Sequence, residues 1–301
     1  MFSNCANSCE VSTRSLLTLS KPPSVFHNFS ALSTVRKTLS TGPVTWSYLD
    51  SGAGDEVWLT FHGYGQDAEV MQHFMKSFRP NARILSFDLP LHGSTTVKKR
   101  KALGVGDLAD LQGKALQETG AKKCSVLAFS LGGKLAMKMV ELVPAKLDRI
   151  VLIAPDGLKT NPLYWFVTHT LLGRWIFQLF IVFPQPLLFT SKLLAVTRLM
   201  NPKIHDFAAS HLKTRKRREK VLDSWMMFRH IKPPLDQVRK KIWRYKIAPY
   251  LVFGRKDWVI HPKLAKKLSG ENCKTAQVIM LDLGHNLTTK EVALLIKDQI
   301  E

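Results

Sequence analysis

Cysteine is scarce in this chain. Four residues in 301 (Cys5, Cys9, Cys124 and Cys273) make no disulfide framework for so long a sequence. Cys5 and Cys9 have no histidine or further cysteine close by, so no metal site is expected there. Cys124 falls in an apolar run and reads as a small hydrophobe. This usage fits a reducing interior, and the cytoplasm is the expected location. A GxGxxG or Walker sequence is also missing, which leaves dinucleotide and P-loop chemistry without support. Internal repeats are absent, and no apolar run reaches the about 20 residues needed to span a bilayer. The greasiest stretch, Trp175 to Phe183, is bounded by Arg174 on one side and by Pro184 and Pro186 on the other. Acid is short as well: 23 Asp and Glu against 44 Lys and Arg leave a formal charge of +21. What is plentiful is hydrophobic residue, at 45%, enough for a full core in one domain with an insertion.

The first forty residues are rich in Ser and Thr and carry Arg14, Lys21, Arg36 and Lys37 against one acid, Glu10. Without a sustained amphipathic face they read as a poorly ordered tail, with a targeting segment as the alternative. From Thr41 strands and helices alternate. Val44 to Leu49 reads as an edge strand, Ala68 to Phe78 as an amphipathic helix and Arg83 to Phe87 as a buried strand. A helix follows over Leu103 to Thr119, then a strand from Lys123, a helix to Val143 and a strand over Arg149 to Ala154. Such alternation implies a mostly parallel sheet with right-handed crossovers.

The chemistry-bearing residues stand at the ends of these strands. The apolar run before Phe129-Ser130-Leu131-Gly132 leads into a serine with Ala128 and Gly132 two residues to either side, and a helical pattern starts at once. That is the layout of a nucleophile elbow, a strained strand-to-helix turn with no room for bulk at those flanking positions. Upstream, the strand Val57 to Phe61 ends in His62-Gly63-Tyr64-Gly65, where glycines let the backbone approach a developing oxyanion. The amides of Tyr64 and Leu131 are the natural donors. Downstream, the strand Pro249 to Gly254 is followed by Arg255-Lys256-Asp257, and the strand Gln277 to Leu281 by Asp282-Leu283-Gly284-His285. Serine, acid and histidine therefore follow in that order, each beyond a strand's C-terminal end, where open α/β sheets place their sites.

These motifs, together with Phe87-Asp88-Leu89-Pro90-Leu91-His92-Gly93-Ser94, resemble the serine hydrolases of the α/β-hydrolase superfamily from about Val44 onward. The similarity is to the branch with carboxylesterases, meta-cleavage-product hydrolases and lysophospholipase-like enzymes. Ala128 and Leu91 stand where that family usually carries glycine. The resemblance implies an α/β-hydrolase fold: a mostly parallel sheet flanked by helices, with a helical cap insertion. It divides the chain into the tail (1–40), a core in two parts (41–158 and 247–301) and the cap (159–246). It further implies that Ser130 attacks a carboxylic ester with an apolar acyl or alkyl group, that His285 takes its proton, and that Asp257 orients His285. Asp156, in Ala154-Pro155-Asp156, is the alternative acid. No cofactor or metal is expected, since water is the second substrate. The same triad also serves an acyltransferase, and a non-catalytic interaction protein on this scaffold is the remaining alternative.

The insertion is apolar in its first half and basic in its second, centred on Lys213-Thr214-Arg215-Lys216-Arg217-Arg218-Glu219-Lys220. From Lys159 to Lys246 there are 18 Lys and Arg against 4 Asp and Glu. Helices packed over the site are the first expectation, and peripheral contact with an anionic membrane is the second. Nucleic acid is disfavoured, because no zinc spacing, RNA-binding aromatic signature or recognition-helix motif accompanies the charge.

Overall fold

The computed structural model describes residues 34–78, 81–98, 102–186, 189, 192, 197, 212–269 and 276–300. In chain order the sheet and its first helices are β1 (Val35–Thr41), β2 (Val44–Asp50), β3 (Glu56–Phe61), α1 (Gln72–Ser77), β4 (Ala82–Phe87), β5 (Thr96–Val97), α2 (Val105–Thr119), β6 (Cys124–Phe129), α3 (Leu131–Leu142) and β7 (Leu147–Ile153). Then come α4 (Pro162–His169), α5 (Leu171–Val182), α6 (Arg215–Met227), α7 (Leu235–Arg244), β8 (Ala248–Gly254), α8 (Lys266–Ser269), β9 (Gln277–Leu281) and α9 (Lys290–Ile300). Among the described residues these strands make one nine-stranded sheet, ordered β1-β2-β4-β3-β6-β7-β8-β9, with β5 paired to β2. The pairs β1–β2 and β2–β4 are antiparallel, and from β4 to β9 every pair is parallel.

Period-two alternation sends side chains of one strand into two cores. Val57, Leu59 and Phe61 of β3 and Val126 and Ala128 of β6 join the core under α2, α3 and α7. Trp58, Leu127 and Phe129 face the other way, toward α1 and α9. Cys124 is buried as expected, and burial pushes its thiol up to about 12, which keeps it an inert hydrophobe.

Three boundaries differ from the sequence-based expectation. The tail over 1–40 ends sooner: Val35–Thr41 forms β1, paired residue by residue with β2, so β1 is the edge and Val44–Asp50 an interior strand. β1 escaped notice because it is largely exposed and its polar residues give no apolar period. The rest of that tail, 1–33, lies outside the described residues. The helix expected over Ala68 to Phe78 opens as a 3₁₀ turn at Ala68–Met71 and becomes α-helical only from Gln72. The C-terminal part of the insertion belongs to the core rather than to a cap: Met227, Phe228 and Ile231, with Val238 and Ile242 one turn apart on α7, are buried in the cluster that contains α3. Among the described residues, α4, α5 and α6 form a separate apolar cluster, built on Val167, Phe177, Phe180, Ile181, Val221 and Leu222.

Candidate active site

Ser130 occupies the turn between β6 and α3 with φ 48° and ψ −113°, a left-handed backbone that costs a non-glycine residue on the order of 1–3 kcal/mol. Four backbone hydrogen bonds hold it there. Ser130 N donates to Ile153 O (2.9 Å), Gly133 N and Asp156 N donate to Ser130 O (2.9 and 2.8 Å), and Gly132 N donates to His62 O (3.1 Å). The need for small neighbours is visible. A Cβ on Gly132 would lie 2.5 Å from Phe61 O, and one on Gly133 would strike Pro155. Ala128, in place of the usual glycine, is fully buried between Phe61 of β3 and Leu152 of β7. Leu91, the other departure, has φ 67°, so it carries strain that a glycine would avoid.

The three side chains predicted from strand ends converge. His285 Nε2 lies 3.1 Å from Ser130 Oγ, and His285 Nδ1 lies 2.7 Å from Asp257 Oδ2. Asp257 is buried, and its other oxygen, Oδ1, accepts from the amides of Val259 (2.8 Å) and Ile260 (2.9 Å). With those amides on Oδ1, Oδ2 is the oxygen that faces the ring and accepts the Nδ1 proton, leaving Nε2 as acceptor toward Ser130. The loops bearing acid and histidine are tied by Arg255 N to Leu281 O (2.7 Å) and Lys256 N to Leu283 O (3.0 Å). That approach requires Gly254, where a Cβ would run into the carbonyls of Leu283 and Gly284.

Asp156 is placed elsewhere. Its carboxylate is 3.2 Å from Lys134 Nζ, and the ammonium sits 4.6 Å from the centre of the Tyr164 ring of α4. Burial works against the charge on Lys134, but Asp156 and Tyr164 outweigh it and hold its pKa above the usual lysine value. Asp156 thus belongs to a cluster joining α3 to α4, and it is Asp257 that meets His285. Lys134 and Tyr164 gave no sequence signal, because a lysine in a helix ordinarily points to solvent.

Leu131 opens α3, so its N–H is among the helix's unpaired first-turn donors and lies at the positive end of the dipole. The loop bearing Tyr64 is held by side chains that sequence reasoning assigned no role. Gly63 N donates to Gln66 Oε1 (2.9 Å), and His62, fully buried, bridges two strand ends. Its Nε2 accepts from Leu89 N (3.0 Å), so Nδ1 carries the proton and donates to Gly63 O (2.7 Å). Burial pushes this imidazole down to about 4 and keeps it neutral. Tyr64 packs on the α4–α5–α6 cluster, with its ring 5.5 Å from that of His92.

The basic run is not one solvated face. Arg218 is buried, donating from Nε (3.0 Å) and Nη2 (2.9 Å) to Ile181 O and from Nη1 to Leu212 O (2.8 Å), which caps the end of α5. Lys213, Arg215, Lys216, Arg217 and Lys220 are exposed. Among the described residues no group of three His, Cys, Asp or Glu converges as a metal site, and no single helix is long and apolar enough to cross a membrane.

Comparison with known proteins bears on the fold and the family. Over 110 residues the chain is 27% identical to the pimeloyl-[acyl-carrier protein] methyl ester esterase of Pectobacterium carotovorum subsp. carotovorum (strain PC1), covering 36% of this chain and 41% of that protein. It is 24% identical over 110 residues to the dihydrolipoyllysine-residue acetyltransferase component of the acetoin cleaving system of Cupriavidus necator, covering 36% and 29%. The chain spans less than half the length of these curated relatives. Solved structures share the fold at low identity. An alpha/beta hydrolase enzyme from a Medee basin deep-sea metagenome library superposes with TM-score 0.62 at 14% identity, over 88% of this chain and 95% of that one. A bacterial membrane phospholipase A gives 0.61 at 16%, over 89% and 86%, and the thioesterase domain from the curacin biosynthetic pathway gives 0.59 at 16%, over 89% and 99%. Residues 59–289, from β3 through the histidine loop, match the model of the alpha/beta hydrolase fold, and the chain belongs to that family.

Proposed function

We propose that the protein is a serine hydrolase that cleaves a carboxylic ester with an apolar acyl or alkyl group through an acyl-enzyme. The observation that carries this reading is the relay from Asp257 through His285, 2.7 Å and then 3.1 Å, to the hydroxyl of Ser130. Ser130 Oγ attacks the ester carbonyl as His285 Nε2 accepts its proton. The carbonyl oxygen becomes an oxyanion held by the amides of Leu131 and Tyr64, and the imidazolium is stabilised by Asp257. Collapse expels the alcohol, which takes the proton from His285. Water, activated by the same imidazole, then attacks the acyl-enzyme and regenerates Ser130. An apolar group suits the surroundings, since the Phe129 ring lies 5.1 Å from that of His285 and the α4–α5–α6 cluster packs on Tyr64. An acyltransferase would use the same residues with an alcohol or thiol in place of water, and products formed with a competing acceptor separate the two. Peripheral contact with an anionic membrane, expected from the basic insertion, is independent of this chemistry but would supply it with apolar substrate.

The test is covalent labelling with a fluorophosphonate and hydrolysis of p-nitrophenyl esters of graded acyl length. Ser130→Ala and His285→Ala should each abolish labelling and lower kcat by about 10³-fold or more, with the double variant hardly worse, because the residues act as a unit. Near-normal hydrolysis by Ser130→Ala would refute the mechanism.

A further inference from the structure

A surface helix of a globular protein ordinarily presents one apolar stripe to the core and polar residues to water. α5 does not. Phe177, Phe180 and Ile181 face inward in the cluster shared with α6 and Gly173 lies against Phe166 of α4, while Leu171, Leu172, Trp175, Ile176, Leu179 and Val182 are exposed. At 3.6 residues per turn these six occupy one continuous arc of roughly 140° on the outer side. Leu171 is 80% and Trp175 58% exposed, so this is a built apolar face and not a row of grazing contacts. α4 adds exposed Leu163 and Trp165, and the two helices meet at 101° across a short break. Twelve residues of α5 reach about 18 Å, well short of the roughly 30 Å of hydrocarbon in a bilayer. Length and bend therefore suit a helix lying in the plane of an interface.

The charge around this face selects its occupant. Arg218 anchors the start of α6 to the carbonyl of Ile181, which sets the exposed Lys213, Arg215 and Lys216 beside the C-terminal end of the apolar arc. With exposed Lys213, Arg215 and Lys216 beside each, two such faces repel one another, whereas anionic lipid attracts them. We propose that the outer face of α4 and α5, flanked by the basic start of α6, is a docking surface for an anionic lipid bilayer, with α5 lying in plane at the headgroup boundary. Tyr64 packs on the inner side of the same cluster, so docking brings the bilayer to the cap directly over the Ser130 loop and gives an apolar acyl chain a short path inward. The path rests on the ester-hydrolase reading; the docking itself does not.

The experiment is flotation of the full chain with vesicles of phosphatidylcholine containing about one third phosphatidylserine, against pure phosphatidylcholine, with no ester present. The wild type should float with the anionic vesicles and far less with the neutral ones. Leu172→Ser/Trp175→Ser/Leu179→Ser removes only exposed side chains and should lower the partition coefficient by about 10²-fold, since these groups lose their burial. Arg215→Gln/Lys216→Gln should lower it by about fivefold per charge, and the loss should vanish at high salt. Both variants should keep the wild-type circular dichroism and the wild-type rate on a short soluble ester. In the unmodified protein, brominated lipid should quench tryptophan fluorescence, and Trp175→Phe should remove much of that quenching. Absence of wild-type flotation and quenching would overturn the proposal, as when a second copy or another part of the chain covers the face. Undiminished flotation of the triple variant would overturn it too. Because binding is read without substrate, loss of docking with intact fluorophosphonate labelling separates failure here from failure of the hydrolase reading.

Discussion

Asp257→Asn is the sharpest probe of the site, because the carboxylate's surroundings dictate how the amide must sit. Oδ1 of Asp257 accepts two backbone N–H groups, from Val259 and Ile260, while Oδ2 faces His285 Nδ1. An asparagine will keep its carbonyl oxygen on the two amides. The flipped alternative would set its NH₂ against two half-buried donors and leave them unsatisfied, at up to about 1–3 kcal/mol each. In the retained orientation the NH₂ points at Nδ1, which can then only accept. The ring proton moves to Nε2 and points at Ser130 Oγ, so the base is blocked although no heavy atom has moved. The loss should be about 10⁴-fold in kcat, or roughly 5.5 kcal/mol of transition-state stabilisation, the scale of a wrong tautomer in a triad. Asp156→Asn should cost only a few-fold, since that carboxylate pairs with Lys134 and does not reach His285. Steady-state hydrolysis of a p-nitrophenyl ester by both variants, with folding checked by circular dichroism, decides the matter. The opposite ranking would refute the assignment of the acid, and a merely tenfold loss for Asp257→Asn would refute the tautomer argument.

Three further outcomes follow from neighbouring contacts. Gly132→Ala places a methyl 2.5 Å from Phe61 O, so the strand or the elbow must shift; the expected cost is about 1–3 kcal/mol, read as a fall of several degrees in Tm together with a lower kcat. Arg218→Met leaves the carbonyls of Ile181 and Leu212 without their buried donor and should cost about 2–4 kcal/mol in urea unfolding, whereas exposed Lys216→Gln should stay within about 0.5 kcal/mol. His62 titrates at about 4 when folded against 6.5 for the free ring, so between these values only the unfolded chain binds the proton. Stability should therefore fall as pH drops from 6.5 toward 4, by about 3 kcal/mol, and His62→Gln, which keeps an acceptor for Leu89 N–H, should flatten that limb of the stability profile.

The sheet and the strand-end positions of Ser130, Asp257 and His285 were legible along the chain because their signals are local. A buried parallel strand is a short apolar run, and the family resemblance supplied the order in which serine, acid and histidine follow such runs. Ser130 could be placed at a strained turn because Ala128 and Gly132 flank it between an apolar strand and a helical pattern, and the structure shows why Gly132 must be small, with Phe61 O 2.5 Å from where its Cβ would stand. Other features depend on partners remote in sequence and have no local mark. The polar strand Val35–Thr41 exists because β2 offers it a ladder. Asp156 and Asp257 each follow a strand, and only the crossing of loops 28 residues apart puts Asp257 on His285 while Lys134, on α3, takes Asp156. The basic run read as uniform charge, but the helix turns Arg218 inward to the end of α5 and leaves its neighbours outside. Composition determined that the insertion is apolar and cationic. Which of its apolar residues are buried was decided by packing alone, because α5 is hydrophobic on both sides and periodicity cannot choose between them.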